Sequence, residues 1–226
     1  MLVKLFVLGH PGSGKSTVSR YIERYTKQKY ADYWSTSRIN DYSILSDMSK
    51  HDTKHKRFQL TEHEGFIVHD LQKYNQALKK LERKALKKVK ETQVSSPSQK
   101  KLLVIEFARK NYHEALENFN ASFLQDAYFV FLDVDIQTCI NRVHHRINNQ
   151  RSPDDHFVHE SILESYRDIY PRHYINSNLA VDFSLPKDRI IIIDNNGAEE
   201  DFEDQINRFI DFIFEQASGN VFATSP

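Results

Sequence analysis

The most informative stretch of this chain is Gly9-His10-Pro11-Gly12-Ser13-Gly14-Lys15-Ser16-Thr17, which fits the pattern G-x-x-x-x-G-K-[ST]. Before it, Leu2 to Leu8 form a short and mostly apolar run, which is typical of a buried parallel strand. After it, bulky apolar or aromatic side chains recur at helical spacing, at Val18, Tyr21, Ile22 and Tyr25. A strand, a loop and a helix in this order form the setting in which the pattern binds phosphate.

The residue types in this pattern suit a chain of phosphate groups. Glycine permits tight backbone turns that point N–H groups inward, and the following helix adds the positive end of its dipole. Lys15 is predicted to reach the β- and γ-phosphates, and the Ser16 hydroxyl to ligate Mg²⁺. We therefore predict a nucleoside triphosphate site whose loop residues are Gly9, Pro11, Gly12, Ser13, Gly14, Lys15, Ser16 and Thr17.

The composition limits the partners and the location of the protein. The 226 residues suit one large domain or a domain with an insertion. Lysine plus arginine equals aspartate plus glutamate, at 31 each, so the net charge does not attract nucleic acid or an anionic membrane, and we expect neither as a partner. Cys139 is the single cysteine, which excludes an internal disulfide and suits a reducing compartment. No apolar run approaches the roughly 20 residues of a membrane span, so we expect a cytoplasmic protein.

Strands and helices alternate along the predicted chain. The pattern predicts helices at about 15–29, 71–91, 112–119, 136–147, 158–170 and 202–213. Apolar runs predict core strands at 2–8, 31–35, 102–106, 128–133 and 189–194, with a small hairpin over 58–68. The polar residues 36–42 are read as a turn that leaves the sheet, and 217–226 as a frayed tail. This order predicts an α/β fold of three layers, α/β/α, around a parallel sheet of about five strands.

The helix predicted at 71–91 is strongly basic, with eight lysines and arginines outside its apolar stripe. One interpretation is an arm that binds phosphate or nucleic acid. The other is a solvated helix face or half of a short coiled pair. We favour the second, because no aromatic residues alternate with the basic ones as base stacking requires.

The order of elements resembles the nucleoside-monophosphate-kinase-like group of P-loop kinases, which includes adenylate kinase. After the fourth core strand come Arg142 and Arg146, which are four residues apart on one helix face, then Arg151 and Asp154-Asp155. Kinases of this group carry a similar run in the lid that closes over the triphosphate, although Arg151 to Asp155 here holds one residue more than their R-x-D-D. The arginine that the family has in the next helix is missing, and Arg167 is a guess for its replacement.

Two further features carry the resemblance. The turn Asn195-Asn196-Gly197 follows the last strand, where these kinases place the adenine ring against backbone. Glu106 and Arg109, in Glu106-Phe107-Ala108-Arg109, resemble the acid-then-arginine signature of nucleoside and nucleotide kinases. The resemblance implies that Glu106 supports the metal or accepts a proton, and that Arg109 binds an acceptor anion or the moving phosphoryl group.

The segments that select the acceptor depart from the family. Neither the T-G-D-type nor the G-F-P-R-type segment of monophosphate kinases is present, and the chain offers Arg38-Ile39-Asn40-Asp41. Asp41 is similar to the general base of P-loop kinases that phosphorylate hydroxyl groups, such as zeta-toxin-like and polynucleotide 5′-hydroxyl kinases. A hydroxyl acceptor needs a carboxylate to take its proton, whereas a phosphate acceptor needs arginines. Arg38 and Asp41 together suit either.

The resemblance implies an ATP- and Mg²⁺-dependent kinase that transfers the γ-phosphoryl group to the hydroxyl of a small molecule. Its expected catalytic residues are Lys15, Asp41, Glu106, Arg109, Arg142, Arg146 and Arg151, and its metal residues are Ser16 and Glu106. The expected domain spans 1–216, with an acceptor-side insertion at 38–100 and a short lid at 142–157. The alternatives are a nucleotide kinase with an altered acceptor site and a nucleotide-binding or hydrolysing module that is not a kinase. The protein is expected to be a monomer or a homodimer.

Overall fold

A computed structural model describes residues 1–62, 65–95, 100–148, 156–197 and 200–219. Its main sheet has five parallel strands: β1 (Leu2–Gly9), β2 (Trp34–Asn40), β5 (Lys100–Phe107), β6 (Ala127–Asp133) and β7 (Ile190–Asp194), in the spatial order β2-β5-β1-β6-β7. A two-stranded antiparallel hairpin is formed by β3 (Phe58–Leu60) and β4 (Phe66–Val68).

Ten α-helices lie among the described residues. They are α1 (Lys15–Tyr30), α2 (Asp41–Lys50), α3 (Gln72–Ser95), α4 (Tyr112–Leu116), α5 (Ala121–Leu124), α6 (Ile136–Asn148), α7 (Glu160–Glu164), α8 (Pro171–Ser177), α9 (Leu179–Asp182) and α10 (Glu200–Ser218). None of the helices in the described ranges combines the length and the apolar composition needed to cross a membrane.

The sheet is buried on both faces because its strands carry apolar residues on both. In β1, Phe6 and Leu8 join one core with residues of α2, α3, α4 and the hairpin, while Leu5 and Val7 join a second core with α1 and α10. This alternation follows from the two-residue period of a strand, and continuous apolar runs are typical of parallel sheets covered on both sides. The predicted three-layer α/β/α fold with a five-stranded parallel sheet is confirmed.

Strand β2 differs from the prediction. The polar residues 36–40 continue the strand as far as Asn40, paired with β5, and the turn predicted over 36–42 is wrong. β2 is an edge strand and several of its side chains are half-buried, so serine and threonine are tolerated there. The chain then enters α2 directly, because the Asn40 side chain accepts a hydrogen bond from the Ser43 N–H (2.9 Å) and caps the helix.

The second half of the chain holds shorter helices than predicted. The helix expected at 158–170 is reduced to α7, the helix predicted at 112–119 ends at Leu116 as α4, and α5 was not predicted. Pro171 then starts α8, as suits a residue that lacks a backbone N–H, and α8 and α9 were not predicted. The predicted tail also starts too early, since α10 continues through Ala217 to Ser218.

Some predictions fall on residues outside the described ranges. Arg151 and Asp154-Asp155 of the expected lid are among them, as are residues 220–226 of the expected tail.

Candidate active site

The loop between β1 and α1 has the backbone shape that its glycines predict. Gly12 and Gly14 have φ angles of 84° and 93°, which are in the left-handed region. A Cβ atom on Gly12 would lie 2.5 Å from the backbone oxygen of Cys139, and one on Gly14 would lie 2.7 Å from Asn195 Nδ2. Any other residue at these two positions would strain the backbone and clash with its neighbours.

Two buried side chains fix this loop from outside. The Tyr112 hydroxyl accepts a hydrogen bond from the Gly9 N–H (2.8 Å) and donates one to the Gly9 carbonyl (3.0 Å). Asn195 Nδ2 donates to the Ser13 carbonyl (2.8 Å). The N–H groups of the first turn of α1 receive no side-chain cap, and together with the adjacent glycines they suit a polyphosphate.

Lys15 lies at the centre of the loop. Its ammonium group donates hydrogen bonds to the carbonyls of Gly9 (2.9 Å) and His10 (2.7 Å), which uses two of its three donors. Burial lowers the pKa of Lys15 to about 8, and the nearby charge of Arg146 acts in the same direction against the raising effect of Glu106. The buried ammonium group of Lys15 therefore keeps one hydrogen-bond donor for a phosphate at the place where phosphates would bind.

The predicted metal residues are in contact. Ser16 Oγ donates to Glu106 Oε2 (3.0 Å), and Arg38 Nη1 lies 3.6 Å from Glu106 Oε1. Burial raises the pKa of Glu106, while Arg38, Ser16 and Lys15 oppose that rise. Glu106 Oε1 is buried without a hydrogen bond, and hydroxyl and carboxylate oxygens are ligands that Mg²⁺ prefers. These residues fit a Mg²⁺ ion, which Ser16 and Glu106 would hold directly or through its waters.

Asp41 and Arg109 form an ion pair, although they are far apart in sequence. Arg109 Nη1 donates to Asp41 Oδ2 at 2.5 Å, and the two side chains are only 11% and 9% exposed. The guanidinium group also donates to the carbonyls of Ala108 and Tyr74 and lies over the Tyr74 ring, 4.7 Å from its centroid. The predicted base and the predicted phosphoryl-binding arginine are therefore a single unit.

The arginines of α6 lie along the same edge of the sheet as the loop. Arg146 lines the cleft beside Lys15, whereas Arg142 Nη2 approaches the Gly197 carbonyl (3.4 Å) and lies by the turn after β7. Arg167 makes two hydrogen bonds to Glu164 on the surface and lines, together with His10, a neighbouring cavity. Its role as the replacement lid arginine stays a prediction.

The side chains of the turn after β7 make hydrogen bonds to three other parts of the protein. Besides the Asn195 bond to the loop, the Asn196 side chain accepts a hydrogen bond from the Asp135 N–H (3.0 Å) and donates one to Asp194 (2.7 Å). Asn195 thus supports the phosphate loop through its side chain. The placement of adenine against Asn195, Asn196 and Gly197 stays a prediction.

A single cleft of about 160 Å³ brings most of the predicted residues together. Its lining includes Pro11, Lys15, Ser16, Asp41, Glu106, Arg109 and Arg146. On the lid side, the His156 and Tyr42 rings are stacked with centroids 3.6 Å apart, and Phe157 packs so closely on Gly65 that a Cβ there would lie 2.8 Å from its ring.

Sequence reasoning missed these lid-side contacts, as it missed the role of Tyr112. The segment Glu106-Phe107-Ala108-Arg109 ends three residues before Tyr112. That short distance was the available signal for a third functional residue on the same connection.

No protein-family model matches the chain, and no curated protein matches it. Among solved structures, Kti12 from Chaetomium thermophilum in complex with ADP-AlF3 is similar with a TM-score of 0.53 and 14% identity, over 93% of this chain and 98% of that one. A sugar kinase from Janibacter sp. HTCC2649 gives a TM-score of 0.47 and 15% identity over 100% of both chains. A gluconokinase from Sinorhizobium meliloti 1021 gives 0.44 and 16%, over 97% of this chain and 95% of that one. At these identities the similarity concerns the fold alone: the chain has an α/β fold with a five-stranded parallel sheet, similar to the fold of the Kti12 structure.

Proposed function

We propose that this protein is an ATP- and Mg²⁺-dependent kinase that transfers the γ-phosphoryl group to the hydroxyl of a small molecule. One observation carries the proposal. The cleft beside the phosphate loop joins Lys15, the Ser16–Glu106 contact, the Asp41–Arg109 pair and Arg146, which come from separate parts of the chain. Phosphoryl transfer needs positive charge at the phosphates and a carboxylate at the acceptor, and this cleft holds both.

On the donor side, Lys15 and the N–H groups of the loop would bind the β- and γ-phosphates. Ser16 and Glu106 would hold Mg²⁺, which neutralises phosphate charge when it is bound. Arg146 adds a second cation next to Lys15. These groups are fixed before the reaction, so they stabilise charge that develops on the moving phosphoryl group without reorganising.

On the acceptor side, Asp41 would take the hydroxyl proton as the acceptor oxygen bonds to the γ-phosphorus and the bond to the ADP oxygen breaks. Protonation of Asp41 removes its negative charge and therefore breaks the ion pair with Arg109. Arg109 then carries an uncompensated charge beside the transferred phosphoryl group. The pair thereby links proton removal to charge stabilisation in a single step.

The test is ADP formation from ATP with and without a panel of alcohols, sugars, nucleosides and nucleotides. Lys15→Ala is expected to lower turnover by about 100-fold or more, because it removes a charge aimed at the phosphates. Lys27→Ala on the exposed side of the same helix is the control and should change nothing. Full turnover in the Lys15→Ala variant would exclude the proposed mechanism.

A second variant tests the base. Asp41→Asn should leave ATP binding unchanged and lower transfer to a hydroxyl by about 100-fold or more. Asp47→Asn, an exposed carboxylate on the same helix, is its control. Transfer at the normal rate in Asp41→Asn would assign the base elsewhere.

The alternative is a nucleotide-hydrolysing module without an acceptor. The Asp41–Arg109 pair favours it, because the carboxylate already has a hydrogen-bonded partner within the protein. The same panel of acceptors distinguishes the kinase from the hydrolysing module. A kinase forms ADP and a phosphorylated acceptor in equal amounts, whereas the module releases inorganic phosphate whatever acceptor is added.

A further inference from the structure

The acceptor half of the cleft is lined mainly by aromatic and apolar side chains. This half lies between α2, the β3–β4 hairpin, α3 and the residues after 156. Its lining includes Tyr42, Leu45, Phe66, Tyr74, Phe157 and Ile162. Side chains of this kind bind a ligand through burial of apolar area and ring contacts, and they offer little to a highly hydrated one.

Among the described residues that line the acceptor half, the charged groups are Asp41 and Arg109, and they neutralise each other. Arg109 also donates to two carbonyls, so three of its hydrogen bonds are made within the protein, and its Nε is buried. Lys15, Glu106 and Arg146 lie on the phosphate-loop side. A phosphate or carboxylate in the acceptor half would therefore lose its water and gain no cation.

The other nearby cation is also occupied. Arg38 Nε donates to Glu23 Oε2 (2.7 Å), and its Nη1 lies 3.6 Å from Glu106. Recognition of a phosphorylated acceptor needs at least one guanidinium group that is not paired within the protein. Neither Arg38 nor Arg109 meets this requirement.

The space also limits the acceptor. The whole cleft, with its phosphate-loop side included, holds about 160 Å³, which is close to the roughly 150 Å³ cavity that holds a benzene molecule in another protein and sets an upper limit for the acceptor. The stacked Tyr42 and His156 rings and the contact of Phe157 with Gly65 enclose this space on the lid side. One ring with a short substituent fits, whereas a base joined to a sugar does not.

We propose that the phosphoryl acceptor is an uncharged molecule of about one ring that carries a hydroxymethyl group. This inference rests on the kinase function proposed above and names its acceptor class. The ring lies among Tyr42, Phe66 and Tyr74, and the hydroxyl points at Asp41. The hydroxyl oxygen bonds to the γ-phosphorus, the phosphorus bond to the ADP oxygen breaks, and the proton passes to Asp41.

Binding is measured first, so that the inference is tested even without catalysis. The full chain, with Mg²⁺ and a nonhydrolysable ATP analogue, is probed by saturation-transfer NMR with benzyl alcohol, 3-(hydroxymethyl)pyridine, 4-(hydroxymethyl)benzoate, gluconate and AMP. The two uncharged rings should bind, and the three anions should bind at least about tenfold more weakly because the acceptor half offers no unpaired cation. Preferential binding of an anion, or no binding of either uncharged ring, would overturn the inference.

Two variants assign this binding to the acceptor half. Ile162→Trp fills the space and should abolish the signal of the uncharged rings, while Leu60→Trp at an exposed position should preserve it. Ile162→Lys supplies the missing cation and should shift the preference toward 4-(hydroxymethyl)benzoate, whereas Ile162→Met should not. An unchanged preference in Ile162→Lys would contradict the inference.

Transfer to the same probes then separates the two proposals. Phosphorylation of the uncharged rings supports both. Phosphorylation of gluconate or AMP in preference to them supports a kinase and overturns the acceptor class. Binding of the rings with no phosphorylation of any probe supports the acceptor pocket and counts against the kinase.

Discussion

At the scale of single residues, the charge of Lys15 depends on its burial. Its pKa is lowered to about 8 by burial, so the ammonium form that attracts phosphate is lost as the pH rises through that value. ATP affinity should therefore be constant below about pH 7.5 and fall by up to about tenfold per unit above pH 8. Calorimetric titration from pH 7 to 9.5 measures this. Lys15→Ala should bind weakly and show no such fall, and a steep fall in that variant would assign the effect to another group.

The Asp41–Arg109 ion pair is a second feature at the residue scale, because both of its side chains are largely buried. Asp41→Ala leaves the arginine uncompensated and should lower the free energy of unfolding by about 3–5 kcal/mol. Asp41→Ala combined with Arg109→Met should recover much of that loss, since both charges are then removed. Urea denaturation of the wild type, the two single variants and the double variant measures the free energies of unfolding in this double-mutant cycle. The exposed Arg167–Glu164 pair is the matched control and should show no measurable coupling.

At the scale of elements, the short helix α4 positions the phosphate loop through Tyr112. Tyr112→Phe deletes the hydroxyl and leaves the Gly9 N–H buried without its partner, while the Gly9 carbonyl keeps only the bond from Lys15 among these side-chain contacts, which should cost about 1–3 kcal/mol of stability and weaken ATP binding. Thermal denaturation and ATP titration measure the two effects. Tyr33→Phe, at a residue that is 60% exposed, is the control. Unchanged stability and affinity in Tyr112→Phe would show that the loop holds its shape without α4.

The elements that could be predicted from the sequence are those whose pattern is local. The strands β1, β5 and β6 are continuous apolar runs, and the loop pattern with its flanking strand and helix needs no distant information. β2 was missed at 36–40 because its polar residues are those of an edge strand, and edge position depends on the sheet order. The short helices α8 and α9 are stabilised by packing on the sheet core through Ile175 and Leu179, which local propensity does not reveal.

The sequence predicts which residues form the candidate site, but not which of them form hydrogen bonds or ion pairs with one another. Lys15, Ser16, Asp41, Glu106, Arg109 and Arg146 were all expected in it, and all line one cleft. The sequence separates Asp41 from Arg109 by 68 residues and Gly9 from Tyr112 by 103, so no local pattern links them. The partner of each polar group is decided by the fold. Asn195 illustrates this, since its side chain supports the loop although its turn was expected to face a base.

At the scale of the whole molecule, ligand binding should stabilise the folded state. ATP with Mg²⁺ at about 100 times its Kd should add about 2.7 kcal/mol and raise the Tm by about 5–10 °C. EDTA should remove much of this increment because Ser16 and Glu106 fit the metal, and Glu106→Gln should show little difference between Mg²⁺ and EDTA. Differential scanning calorimetry measures these shifts. An increment that is the same with and without Mg²⁺ would count against the metal assignment.

The position of β1 in the middle of the sheet has a consequence for synthesis on the ribosome. The phosphate-loop motif is translated well before the strands that flank β1, because β5 and β6 begin at Lys100 and Ala127. The loop after β1 is also hydrogen-bonded to Tyr112 and Asn195. Of these two residues, Asn195 is translated much later. A nascent chain therefore carries the motif long before its loop is supported, and the loop acquires its complete set of contacts only after Asn195 has been translated.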